Sequence, residues 1–156
     1  MLPTTPSTDF EIADANRLVS LVFPPEPVWV RAARETVRAL LLAVRRGDLT
    51  DMALLLTSEA VTNAVNACLA KGCSTPVTLF AEWAGNPAPY CLRVLVHDEA
   101  PGRPVCRATV SPQEESGRGM ALIATGADAW GVCEHGPGPG KDTWFELGGQ
   151  RSPGGW

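Results

Sequence analysis

The chain has 156 residues, 45% of them hydrophobic and 19% charged, with a formal net charge of −4. That suits one domain with a full apolar core and leaves little room for two. The basic residues are scattered, so the concentrated cationic face of a nucleic-acid binder is missing and no direct nucleic-acid partner is expected. No uninterrupted apolar run approaches the ~20 residues of a membrane-spanning helix. The first residues, Met-Leu-Pro-Thr-Thr-Pro, lack the charged and apolar regions of a secretion signal. The expectation is a cytoplasmic protein with no membrane partner.

Residues 1–9 are polar, carry two prolines and are expected to be disordered. Val19–Phe23 reads as a strand stopped by Pro24-Pro25. Pro27 suits the first turn of a helix. Beyond it Val30, Ala33, Val37, Leu40 or Leu41, and Val44 recur at helical spacing, with Arg31, Arg34, Glu35 and Arg38 off the stripe. This predicts an amphipathic helix ending near Gly47. A second helix is predicted from Asp48 or Thr50 to about Ala70, with Gly72 beyond its end. Leu54, Val61, Val65 and Cys68 form its buried stripe. Glu59, Asn63 and Asn66 form a polar stripe almost opposite, with Met52 and Leu55 one turn below.

Pro76–Trp83 and Tyr90–His97 read as two strands joined by a turn-rich Ala-Gly-Asn-Pro-Ala-Pro segment. Residues 99–117 show no periodicity and read as a loop. Arg118–Thr125 follows as a short helix, and Asp128–Glu134 and Asp142–Leu147 as two further strands hinged by Gly136-Pro-Gly-Pro-Gly140. The tail from Gly148 is expected to be loose. Helices come early and strands mostly later with short links. The predicted fold class is therefore α+β, a two-layer sandwich with a mostly antiparallel sheet and helices on one face.

Cysteines stand at 68, 73, 91, 106 and 133, an odd number without zinc-ribbon or redox spacing. No metal is expected on them. Cys68, Cys91 and Cys133 are expected to be small buried hydrophobes in a reducing compartment.

Three short segments carry the chemistry. In Glu59-Ala-Val-Thr-Asn63 a carboxylate and a carboxamide lie one helical turn apart on one face. The Asn63 oxygen suits the octahedral shell of Mg²⁺, which keeps several waters and takes other ligands from phosphates. Glu59 could accept the proton of a hydroxyl attacking a γ-phosphate. Asp98, after the apolar run Leu92–Val96, should close a strand, where its carboxylate could accept from an exocyclic amine such as that of adenine. Gly117-Arg-Gly119 opens a helix whose free amides and positive dipole end favour phosphate, with Arg118 adding charge. Taken singly, each has a plainer explanation: a solvated helix glutamate, a surface asparagine, a turn-capping aspartate, a glycine turn. Their order and spacing together argue against that.

In this order, Glu59…Asn63, Asp98…Gly102 and Gly117-Arg-Gly119 resemble the three boxes of the Bergerat ATP-binding fold shared by gyrase, heat-shock chaperones and histidine kinases. The stand-alone branch is the most similar: the bacterial anti-sigma factor serine/threonine kinases and their actinobacterial relatives. The shared landmarks run from Phe23-Pro24 and Ala33-Arg34 through Ser58–Val65, Asp98, Pro101, Pro104 and Gly117–Met120. They end with Trp130-Gly131 and Gly140-Lys-Asp-Thr-Trp-Phe-Glu-Leu147. The resemblance implies a single histidine-kinase-like ATPase domain over 10–148, followed by a flexible tail, 149–156. It implies ATP and Mg²⁺ as cofactors, Glu59 as general base and Asn63 as Mg²⁺ ligand. Asp98 would hold the adenine amine, with Asn66, Ala100 and Gly102 also at the nucleotide and Gly117, Arg118 and Gly119 at the phosphates. It further implies a lid over 99–116, a STAS-domain anti-anti-sigma substrate, a sigma factor as second partner, and a homodimer through the N-terminal strand and first helix.

Three positions depart from the family pattern. Ala100 stands where a glycine is frequent, Ala67 where a histidine is frequent, and Lys141 where a hydroxyl residue often follows Gly140, with Thr143 nearby. The expected function is an ATP-dependent protein-serine/threonine kinase acting by partner switching. The alternative is an ATP-binding interaction module without phosphotransfer. A sensor histidine kinase is not expected, because His97 and His135 are the only histidines and neither lies in a helical hairpin.

Overall fold

The computed structural model describes residues 17–85, 90–101, 117–134 and 140–149, with only the backbone described for 117–121 and 134. Strand β1 (Arg17–Phe23) leads through a 3₁₀ turn, Pro27–Trp29, into helix α1 (Val30–Ala43). A second 3₁₀ turn, Gly47–Leu49, precedes helix α2 (Thr50–Ala70). Then come β2 (Val77–Ala84), β3 (Cys91–Asp98), α3 (Gly117–Gly126), β4 (Ala129–Glu134) and β5 (Lys141–Leu147). The five strands form one sheet in the order β1-β2-β3-β5-β4, every neighbouring pair antiparallel. The α+β class expected from the order of elements is the observed one.

Side-chain alternation explains the layers. On β2, Val77, Leu79, Ala81 and Trp83 are buried, and on β3 Leu92, Val94, Val96 and Asp98. Thr143, Phe145 and Leu147 continue that face on β5. Helix α1 packs against β1 and β2, and α2 against β3 and β5, so both cover the same face. Helix α1 buries Ala33, Val37, Leu40 and Leu41, the last two together filling the one position that the periodicity leaves open. Helix α2 buries Leu54, Val61, Val65 and Cys68 as its stripe predicts, but also Ala53, Leu56, Thr57, Ala60 and Ala64. The small residues are what let it lie close between the sheet on one side and α1 and α3 on the others. Gly126, which ends α3, sits against Met52 and Leu56 of α2.

The stretch Gly47–Ala70 reaches a mean hydropathy of 1.2 and is long enough to cross a membrane by length and composition alone. Half of its apolar window is buried inside the protein, against the core that it helps to build. It reads as a core helix.

One boundary differs from expectation for a backbone reason, and the end of α2 at Ala70 with Gly72 beyond it is as expected. α1 stops at Ala43 rather than near Gly47, because Arg45 adopts φ 59° and Arg46 N–H bonds to the Leu41 carbonyl at 2.9 Å. That is a left-handed helix stop on a residue other than glycine, which the sequence does not announce. α2 ends in the same way on Gly72 (φ 66°), with Cys73 N–H on the Cys68 carbonyl at 2.9 Å. The cysteine expectation holds only in part. Cys68 is fully buried, whereas Cys91 and Cys133 are half-exposed, since they lie on the strand face turned away from the helices. Residues 1–16, Gly102, the rest of the 102–116 segment, 135–139 and the tail from 150 lie outside the described residues.

Candidate functional site

Helix α2 presents Glu59 and Asn63 on successive turns, both half-buried, while Asn66 is exposed. They project from the side of the helix turned away from Cys68, beside Met52 and Leu55, which are 41% and 43% exposed. Nothing among the described residues forms a hydrogen bond or ion pair with the Glu59 carboxylate or the Asn63 carboxamide. A carboxylate and an amide on one side of a long apolar helix, with their bonding capacity unspent, are available to a ligand.

Asp98 is the last residue of β3 and is completely buried. Its Oδ1 accepts the Ala100 backbone N–H at 3.1 Å, an Asx-type turn that directs the chain out of the sheet. Its Oδ2 accepts from Lys141 Nζ at 2.6 Å. The two residues are direct cross-strand partners, so antiparallel pairing places them on the same face. That face carries the helices: the thiol of Cys68 is pushed up to about 11, first by burial and then by the Asp98 carboxylate, with Lys141 acting in the opposite sense. Asp98 closes a strand as predicted, and Lys141, which follows Gly140, reaches its carboxylate from the facing strand.

Gly140 makes this approach possible. Its φ is 109°, and a Cβ there would lie 2.5 Å from the Asp98 carbonyl oxygen, so only glycine fits where β5 begins against the end of β3. Two residues beyond Lys141 on β5, the Thr143 hydroxyl is buried with no hydrogen-bond partner among the described residues. On the opposite face of the sheet His97 bridges two carboxylates, Nδ1 to Asp142 at 2.7 Å and Nε2 to Glu99 at 2.8 Å. Burial alone would lower the His97 pKa. The two carboxylates outweigh it and hold the imidazole above its ordinary value. His97 therefore braces the strand end that carries Asp98, a structural part.

Gly117, Arg118 and Gly119 form the first turn of α3, in backbone terms as predicted, and the Arg118 side chain lies outside the described residues, as does Gly102. Ala100 is half-buried directly after Asp98. Sequence reasoning missed the ion pair itself. Lys141 stood out only as a departure, and the signal that could have found its partner is the equal distance of both residues from the paired hydrophobic runs of β3 and β5.

Among the described residues no group of three or more His, Cys, Asp or Glu side chains could hold a metal ion alone. A hollow of about 410 Å³ at the start of α1, lined by Val28, Trp29, Arg31, Ala32 and Glu35, contains none of these site residues.

In a comparison with protein families, the model of the histidine kinase-like ATPase domain aligns with residues 23–145, most of the chain. No curated protein matches it at a significant level.

Proposed function

We propose a function from one premise: the chain belongs to the histidine kinase-like ATPase domain family, whose members bind ATP. On our reading it is an anti-sigma factor-type protein-serine/threonine kinase that phosphorylates a STAS-domain anti-anti-sigma partner and exchanges it for a sigma factor. The observation that carries this is the Glu59–Asn63 pair, a carboxylate and a carboxamide held one turn apart and without partners among the described residues.

The residues fit the nucleotide and its metal. The orphaned Thr143 hydroxyl on the Asp98–Lys141 face offers a buried polar contact. Asn63 supplies one hard oxygen donor, which suits Mg²⁺ because that ion takes its remaining ligands from phosphates and water. When bound, Mg²⁺ would neutralise charge on the phosphates. Asn63 would hold it, the first turn of α3 at Gly117–Gly119 would direct backbone amides at the phosphates, and Asp98 with Lys141 would face the base. Glu59 would take the proton from the partner's seryl or threonyl hydroxyl as that oxygen bonds to the γ-phosphorus and the bond to ADP breaks. A homodimer through β1 and α1 belongs to the same reading. It is supported by Leu18 and Val22, 65% and 61% exposed on the open side of β1, and by Phe80, 41% exposed on β2.

A second reading, an ATP-binding interaction module without transfer, is favoured by Ala67 and Ala100, which stand where the resembling kinases frequently carry histidine and glycine. Calorimetric titration with ATP and Mg²⁺ tests both. Wild type is expected to bind, Asn63→Ala to lose the Mg²⁺-dependent part of the affinity, and Glu59→Ala to bind while losing transfer to a STAS partner by about a hundredfold or more. Absence of adenine-nucleotide binding by wild type overturns both readings. Binding with no transfer by wild type leaves the second.

A further inference from the structure

A lone carboxylate at the base of a purine pocket discriminates by being an acceptor only. It takes the exocyclic amine of adenine and repels the 6-oxo group of guanine or hypoxanthine. In this protein the carboxylate is not alone. Asp98 uses Oδ1 on the Ala100 N–H and Oδ2 on Lys141 Nζ, which spends two of its roughly four acceptor positions. The Lys141 ammonium has about three donors and spends one of them on Oδ2 at 2.6 Å. Asp98 is wholly buried, whereas the Lys141 side chain is 18% exposed, so the cation sits at the outer side of the pair. The part of the pair that a base can reach is therefore the Lys141 donor, with the Asp98 carboxylate sealed behind it.

We infer that Lys141 is the specificity-determining residue for the base, and that it opens the pocket to 6-oxopurine nucleotides. The inference rests on the nucleotide-binding reading above. A 6-oxopurine carries an acceptor, O6, next to a donor, N1–H. Lys141 Nζ donates to O6. Adenine places an amine, which cannot accept, where a 6-oxopurine has O6, so the Lys141 donor favours the 6-oxo edge. Gly140 is required for this arrangement, since any Cβ there would strike the Asp98 carbonyl and push β5, and Lys141 with it, off the carboxylate.

The test is competition binding of ATP, GTP and ITP, each with Mg²⁺, to the full chain. ITP is the cleanest probe, because hypoxanthine has O6 and N1–H but no amine for a lone carboxylate to accept. Wild type is expected to bind ITP and GTP within about tenfold of ATP. Lys141→Met removes the donor, and the ratio should then move toward ATP by roughly tenfold or more, the scale of one matched polar contact to a base edge. Circular dichroism establishes that the variant is folded. Should Lys141→Met not fold, the wild-type ratios decide alone. Strong preference of wild type for ATP over ITP, about a hundredfold, overturns the inference and leaves the nucleotide reading standing. So does an ITP:ATP ratio that Lys141→Met leaves unchanged. Binding of none of the three nucleotides overturns both.

Discussion

Removing the Lys141 ammonium while keeping its apolar stem, by Lys141→Met, leaves the Asp98 carboxylate at 0% exposure with only the Ala100 N–H for company. Breaking a buried ion pair from one side typically costs 3–5 kcal/mol, most of it the desolvation of the charge left behind. Two features here pull toward the lower end. Lys141 is 18% exposed, so water can follow into the space it vacates, and the Asx-turn hydrogen bond survives. About 3 kcal/mol is the working figure, equivalent to a fall of roughly 6–12 °C in Tm for a domain of this size. Denaturant titration at neutral pH measures it, and the double variant Lys141→Met/Asp98→Asn separates charge from packing. Asparagine keeps an oxygen for the Ala100 N–H and carries no charge, so the double variant should regain about half of the loss or more. A single-variant loss under about 1 kcal/mol, or a double variant no more stable than Lys141→Met, would refute the account of Asp98 as a charge that Lys141 compensates.

The His97 bridge makes stability depend on pH in a defined direction. Its folded pKa is raised, so its contribution is complete below the ordinary value of about 6.5 and is lost as pH rises through the raised value. Thermal melts of wild type from pH 6 upward should show a decline that His97→Gln flattens, and parallel profiles would show that the Asp142 and Glu99 contacts carry no such dependence. The exposed apolar face of β1 predicts a dimer at micromolar concentration by light scattering and a monomer for Val22→Glu. A monomeric wild type ends the dimer proposal.

The layout of this fold was legible because its elements keep their periods. The 3.6-residue stripe from Val30 to Val44 and the alternation along Val77–Trp83 both point one set of side chains at a common core, and all of them are buried except Val30, which is half-buried at the start of α1. What escaped is what local pattern does not encode. Arg45 in a left-handed conformation ends α1 early, although nothing about arginine favours that conformation. The breadth of the buried surface on α2 follows from its being enclosed by the sheet, α1 and α3 together, which no stripe on α2 alone could reveal. In the candidate site, Glu59 and Asn63 were legible as an i, i+4 pair. The union of Asp98 with Lys141 depends on β3–β5 register, 43 residues apart in the chain.

That register is also what gives the departures from the family pattern a physical meaning. At the position after Gly140 the side chain faces the end of β3 whatever residue stands there, because the glycine, with φ 109°, fixes how β5 enters the sheet. A hydroxyl at that place would leave Asp98 charged and alone in a buried site, a costly state that a bound amine would relieve. A lysine relieves it permanently. The protein therefore carries its Asp98 compensated before any ligand arrives. Part of the binding energy that an adenine amine would gain at a lone carboxylate is then already spent on the internal ion pair. On the proposed reading, affinity for a nucleotide then leans more heavily on the phosphate end, on Asn63 and the first turn of α3. This is why Asn63→Ala should weaken nucleotide binding more than a change at Asp98 does, the reverse of the order expected for a pocket with an uncompensated aspartate.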